Sequence, residues 1–224
     1  MPEPSTFTLS DLSLSPFTAL ESSSTRLPCP SCRKSHLWFC PDCIQPFISN
    51  TPSLSLPATL HIVRHAGEPP SKSSVLPLRL VLSEEYLKFY RYHSSFSSAL
   101  PSTDAKHSVV VFPSDDALSV DAIDWKEVTD VIFIDSTWFQ ANEVNQQLDA
   151  KIPRVCLNSG YKTFFWRPQH KGPECLATVE AVYLLMRDAF ASESPKKYDD
   201  ILWFYVFMRN LIMGKSRSRR VANR

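Results

Sequence analysis

Apolar residues in this chain gather into short runs separated by polar, Ser- and Pro-rich connections. TLHIVRH (59–65), HSVVVFPS (107–114), VTDVIFID (128–135) and PRVCLN (153–158) are β-branched runs of strand length. Runs of this kind predict strands buried on both faces. TWFQANEVNQQL (137–148) has helical composition, and ECLATVEAVYLLMRDAF (174–190) and YDDILWFYVFMRNLIM (198–213) read as long helices. LPLRLVLSEEYLKFY (76–90) is mixed, with its later part read as helical. Strands alternating with helices predict an α/β fold: a mostly parallel sheet with flanking helices. In such sheets ligands sit beyond the carboxyl ends of the strands, where Asp135 and the pair Pro113-Ser114 fall. The most apolar run, ILWFYVFM (201–208), is followed at once by Arg209. It is well short of the roughly 20 residues a bilayer requires and predicts a buried helix, so no membrane partner is expected.

Four segments surround or make up this pattern. Residues 1–26 are rich in Ser, Thr and Pro and read as a disordered tail; 27–48 form a cysteine module; 59–213 form the main domain; 214–224 are a basic tail. At 224 residues, with 43% hydrophobic and 21% charged positions, the chain has room for one such domain and a small appendage. No long apolar run near the N-terminus suggests a secretory signal, and the first 25 residues hold no Arg or Lys. The four glycines, Gly67, Gly160, Gly172 and Gly214, cannot write a GxGxxG or P-loop fingerprint. The formal charge of +1 hides an asymmetry. Ten acids lie between Asp104 and Asp149, whereas 150–173 hold none and carry Lys151, Arg154, Lys162, Arg167 and Lys171. The tail adds Lys215, Arg217, Arg219, Arg220 and Arg224. Local basic density of this kind suits a polyanionic partner, with solvated surface charge as the alternative.

CPSCRKSHLWFCPDC sets Cys29, Cys32, Cys40 and Cys43 as two CxxC pairs. Each CxxC turn aims two thiolates at one point, and two turns complete a tetrahedral, structural zinc site. Disulfides are the alternative, but nothing points to an oxidising compartment. His36, between the pairs, is read as solvated, and Cys156 and Cys175 as core thiols.

The strand VIFID runs into STWFQ (131–140). Thr137 and Gln140 fit a T-x-x-Q capping box, and an acid just before a helix is favoured electrostatically. Locally, Asp135 is as well explained by helix initiation as by chemistry. The wider wording resembles the DTW-domain family of tRNA-uridine aminocarboxypropyltransferases. It is carried by DSTWFQA, by HIVRHAGEPPSKSS (61–74) with His65, Glu68, Lys72, Ser73 and Ser74, by VVVFPSDDA (109–117), and by FFWRPQHKG followed by CLATVEAVY (164–183). FWRPQHKG and YDDILWFYVFM are especially similar to the eukaryotic type 1 branch. Ser136 stands where many bacterial members have Gly, and Ala177 where Ser is usual.

The resemblance implies S-adenosylmethionine as donor and transfer of its 3-amino-3-carboxypropyl group to N3 of a tRNA uridine, D-loop position 20 being the expected site, with release of methylthioadenosine. It also implies a fold related to the SPOUT methyltransferases, whose cofactor lies in knotted loops. Asp135 is then the candidate base or positioning group, supported by Ser136, Thr137, Trp138 and Gln140. A carboxylate with a pKa of about 3.9 is a poor base for an imide unless burial raises it, so positioning stands beside the base role. Phe112, Pro113, Ser114, Leu157, Thr178 and Glu180 are candidates for holding the donor; Glu180, on an apolar helix face, needs a partner. His65, Lys72, Lys162, Arg167 and Lys171 are candidates for RNA, and the aromatics interleaved at 161–166 suit unstacked bases. KSRSRR reads as a nuclear address or a phosphate-binding arm, so the nucleus is the expected location and the cytoplasm the alternative. The rival functions are an RNA methyltransferase using the same donor and a zinc-containing RNA-binding protein without catalysis.

Overall fold

The computed structural model describes residues 8–94, 100–158, 160–167, 172, 175–191, 194 and 196–222, with side chains described to residue 214. Helix α1 (Thr18–Glu21) precedes two small antiparallel ribbons, β1 (Leu27–Pro28) with β2 (Ser35–His36) and β3 (Phe39–Cys40) with β4 (Gln45–Pro46). The main sheet contains β5 (Thr59–His65), β6 (Leu87–Tyr92), β7 (Ser108–Val111), β8 (Leu118–Ser119), β9 (Asp130–Asp135) and β10 (Arg154–Cys156). Its order is β6-β5-β9-β7-β10-β8, and every pairing is parallel. Helices α2 (Trp138–Gln147), α3 (Thr178–Phe190) and α4 (Trp203–Ala222) flank it.

Alternation along the strands explains the layering. Leu60 and Ile62 of β5, with Val131 and Phe133 of β9, join a core with Val179, Val182 and Leu185 of α3 and Trp203 of α4. The intervening Val63 and Ile132 face the other way and pack with Ala141 and Val144 of α2. Each such fully buried side chain stabilises the fold by roughly 1.5–3 kcal/mol, before the entropy of ordering it.

Four expectations are corrected. Residues 87–92 form an edge strand rather than a helix, after a 3-10 segment Leu76–Leu80 that is largely buried. Of the expected disordered tail, residues 8–26 are ordered. Leu20 is 1% exposed, Phe17 packs on Trp203 and Phe207, and the Trp203 indole donates to the Ser15 and Pro16 carbonyls. The backbone N–H groups of Ser13 and Ser15 donate to Asp199 and Asp200. Helix α3 begins at Thr178 rather than 174, and a 3-10 turn, Asp199–Leu202, leads into α4. Among the described residues no helix is long and apolar enough to cross a membrane.

Candidate active site

Strand register builds the centre. Arg64 pairs with Asp135 between β5 and β9. Both continue the alternation of Leu60, Ile62, Val131 and Phe133, so both side chains lie on the face that α3 covers. Arg64 Nε donates to Asp135 Oδ2 at 3.0 Å, and Ser73 Oγ donates to the same oxygen at 2.7 Å. Thr178, at the start of α3, donates its hydroxyl to Oδ1 at 2.8 Å. Asp135 is 7% exposed. One carboxylate therefore joins β9, β5, the 73–74 loop and α3. A buried charge is tolerated where it is paired and hydrogen-bonded, as here.

The junction forms part of the wall of a cavity of about 690 Å³ at the carboxyl ends of β7, β9 and β10. Of the residues singled out in the sequence as motif, donor or RNA candidates, Phe112, Pro113, Ser136, Thr137, Trp138, Leu157, Thr178, Lys72 and Arg167 line it. Glu68, Ser73, Ser74, Phe139, Cys156 and Tyr161 line it as well. Gln140 sits behind the wall: its Oε1 receives the Thr137 N–H at 3.4 Å and the Thr137 hydroxyl at 2.8 Å, so the helix-start half of the motif forms separately from Asp135.

Four expected contacts fall elsewhere. Ser114 donates to Asp116, and His65 accepts from the Gly67 N–H; neither lines this cavity. Lys162 borders a neighbouring cavity of about 280 Å³. Glu180 is 4% exposed and already saturated, receiving the Thr163 hydroxyl, the N–H groups of Phe164 and Ala177, and the Tyr205 hydroxyl at 2.6–2.8 Å. Its partners are neutral donors rather than a cation or a ligand, and it fastens the 163–164 loop to α3 and α4. Burial, reinforced by the Glu180 charge, holds the Tyr205 phenol well above its ordinary pKa, so it remains a donor. Arg167 donates to the Lys72 carbonyl and lies over the Phe165 ring, while Lys171 is outside the described residues. Arg64 is the residue the sequence reading missed. Its signal was a lone cation inside a parallel strand, where burial demands a partner.

The DTW domain matches residues 26–213. The chain belongs to the DTW-domain family. Among curated relatives, tRNA-uridine aminocarboxypropyltransferase 1 of Xenopus laevis is 29% identical over 266 residues, covering 94% of this chain and 89% of its own. The Mus musculus protein of the same name is 28% identical, covering 84% and 78%, and that of Homo sapiens 27%, with the same coverage. No solved structure matches.

The DTW match includes the cysteine module, whose chemistry fits a metal. The four Sγ atoms lie within 4.8 Å of one another, with Cys32 and Cys40 3.5 Å apart. A zinc tetrahedron with bonds of about 2.3 Å needs sulfurs about 3.8 Å apart. The residue after each CxxC is left-handed, Arg33 at φ 66° and Ile44 at φ 55°. A β-branched residue persists there only where its surroundings hold it. Backbone N–H groups of Cys32 and Ser31 pull the Cys29 thiol down to about 7, whereas burial pushes the Cys40 and Cys43 thiols up, so a cation is what the four sulfurs would need to ionise together. His36, read as solvated, has a buried Nε2 without a hydrogen-bond partner among the described residues, close to Cys40 and Asp42.

Proposed function

We propose that this DTW protein is a tRNA-uridine aminocarboxypropyltransferase that moves the 3-amino-3-carboxypropyl group of S-adenosylmethionine to N3 of a tRNA uridine, at D-loop position 20, and releases methylthioadenosine. The observation that carries this reading is the Asp135 junction in the wall of the strand-end cavity, built from the residues of the family motif. The names of the relatives supply the reaction class. Phe112, Pro113, Leu157 and Thr178 are the groups that would hold the donor, whose sulfonium supplies an already activated alkyl carbon. A cavity with no Gly-rich phosphate loop suits a SPOUT-like mode of donor binding. The cysteine module would hold a structural zinc and help grip the RNA, and the basic tail suits a nuclear protein.

Asp135 acts by positioning. Three protein donors occupy its carboxylate, two on Oδ2 and one on Oδ1, so it fixes the relative placement of Arg64, Ser73 and Thr178. Glu68 is the other acid that lines the cavity, and its carboxylate makes no hydrogen bond among the described residues. Its backbone carbonyl is tied to Arg64 at 3.3 Å, which links it to the same junction. As the N–C bond forms, N3 turns cationic and its proton becomes far more acidic than that of the free imide. A carboxylate can then take it without the burial a ground-state base would need, and Glu68 is the group we assign to receive it.

The test is to incubate the purified protein with S-adenosylmethionine and unmodified tRNA and weigh the nucleosides. A uridine heavier by the aminocarboxypropyl group, with methylthioadenosine, supports the reading. A methylated base with adenosylhomocysteine identifies a methyltransferase instead. Glu68→Gln is expected to lower turnover by about 100-fold or more with donor binding unchanged, the usual effect of removing a general base. Unchanged turnover removes Glu68 from that role.

A further inference from the structure

Phe139 is 87% exposed, and the neighbouring Trp138 is 37% exposed. Both lie in the first turn of α2 and both line the cavity. The other exposed large hydrophobics among the described residues, Leu27, Leu118 and Met213, are isolated from this pair in sequence and do not line the cavity. Phe139 makes no ring contact with any described residue. Thr137 holds the helix start through Gln140, and Ala141 and Val144 supply the buried face of α2, so Phe139 is needed for neither purpose. A single exposed apolar side chain is ordinary, but two adjacent aromatics exposed at the mouth of a site mark a candidate binding surface.

The surroundings select among partners. Lys72, exposed, and Arg167 line the same cavity, and Lys162 is exposed on the adjoining loop. Cations beside an unstacked aromatic match single-stranded nucleic acid, phosphates to the cations and a base to the ring. A second copy of this chain is the alternative occupant. The rest of the outer face of α2, Gln140, Asn142, Glu143, Gln146 and Gln147, is polar, whereas a stable dimer interface covers roughly 800 Å² per partner around an apolar centre.

We propose that Phe139 is a stacking platform for the nucleotide next to the target uridine, holding that base out of its loop stack while the uridine enters the cavity. This inference rests on the tRNA-modifying function proposed above. It makes Phe139 a substrate-binding residue in a position that helix capping and core packing leave free.

The test measures binding and turnover of unmodified tRNA by the wild type, Phe139→Ala and Phe139→Trp. It includes tRNAs in which the nucleotide on either side of the target is abasic. Phe139→Ala is expected to weaken tRNA binding by about 5- to 150-fold, the range that corresponds to losing one base stack, with donor affinity and melting temperature unchanged. Phe139→Trp is expected to bind like the wild type. One of the two abasic tRNAs should weaken wild-type binding by a similar factor and have little further effect on Phe139→Ala. Equal binding of tRNA by wild type and Phe139→Ala overturns the inference while leaving the transferase reading intact. So does a wild-type dimer that Phe139→Ala converts to monomer. A wild type that neither binds nor modifies tRNA overturns both.

Discussion

The carboxylate of Asp135 and the hydroxyl of Ser74 show how far single side chains hold this site together. Arg64 and Asp135 are about nine-tenths buried, and breaking such a pair from one side strands a charge. Arg64→Met and Asp135→Asn are each expected to cost about 3 kcal/mol, read as a shift in the urea midpoint at unchanged m-value. An Asp135→Asn variant that is inactive yet as stable as the wild type restores the base role to Asp135. Ser74 acts in a quieter way. Ala177, at the N-cap of α3, has no side-chain acceptor, and Ser74 Oγ accepts the Val179 N–H from another segment at 3.3 Å. Ser74→Ala is therefore expected to cost about 1 kcal/mol, the usual loss on removing a cap, and adding Ala177→Ser should recover most of it. Chemical denaturation of the single and double variants checks this. A second substitution that recovers nothing shows that Ser74 does not serve as the cap.

At the scale of elements, what was legible in the sequence followed burial. Strands β5, β7, β9 and β10 are central and covered on both sides, so they appear as apolar runs that a reader can bound to within a few residues. Strand β6 is at the edge, with burial alternating imperfectly along LKFYRY, and the helix-forming SEEY before it masks that pattern. The N-terminal strap was missed for a different reason. Its apolar residues, Leu9, Leu12, Leu14, Phe17 and Leu20, are set among Ser and Thr and form no strand or long helix, and its order comes from their packing on the core and from hydrogen bonds to Asp199 and Asp200, partners about 185 positions away. Within the site, the motif marked Asp135, Thr178 and the cavity, whereas Arg64 became visible only through strand register, and Glu180 changed from ligand holder to clamp. Register also creates a pH-sensitive link. His61 on β5 is buried between Asp130 on β9, at 2.6 Å, and Tyr90 on β6, at 3.0 Å. Burial lowers its pKa below 6.5, against the opposing pull of Asp130 and with a small contribution from Lys88. The unfolded chain therefore binds a proton near pH 6.5 that the folded chain refuses, so stability present above that pH is lost as the pH falls below it. Wild-type stability should fall more steeply between pH 7 and 5 than that of His61→Gln. Parallel slopes would show that His61 contributes nothing to this dependence.

Across the whole molecule, the cysteine module and the main α/β domain share one core. Trp38, between the two CxxC turns, donates its indole N–H to the Leu20 carbonyl and packs edge-on against Phe204 and Phe207 of α4, with ring centroids 5.5 Å apart. Phe39 packs on Phe204 in the same way. From α4, Tyr205 reaches Glu180, and Glu180 holds the loop that leads to Arg167 in the cavity wall. The cysteine cluster is thus connected to the candidate site through packed side chains, although its four cysteines line no part of the cavity. Closing a four-thiolate site supplies folding free energy to a module of about 20 residues that has little core of its own. With the zinc proposed above in the module, its removal should release Trp38 and Phe39 as well as the cysteine turns. A chelator is accordingly expected to lower the melting temperature by about 5 °C or more, given that 1 kcal/mol corresponds to a shift of about 2–4 °C in a chain of this size. It should also increase hydrogen exchange in α1 and in the exposed turns of α4. Cys40→Ser should reproduce both effects without a chelator. If metal loss leaves α1 and α4 as protected as before, the module is an independent appendage, and the packing of Trp38 on α4 does not couple the two.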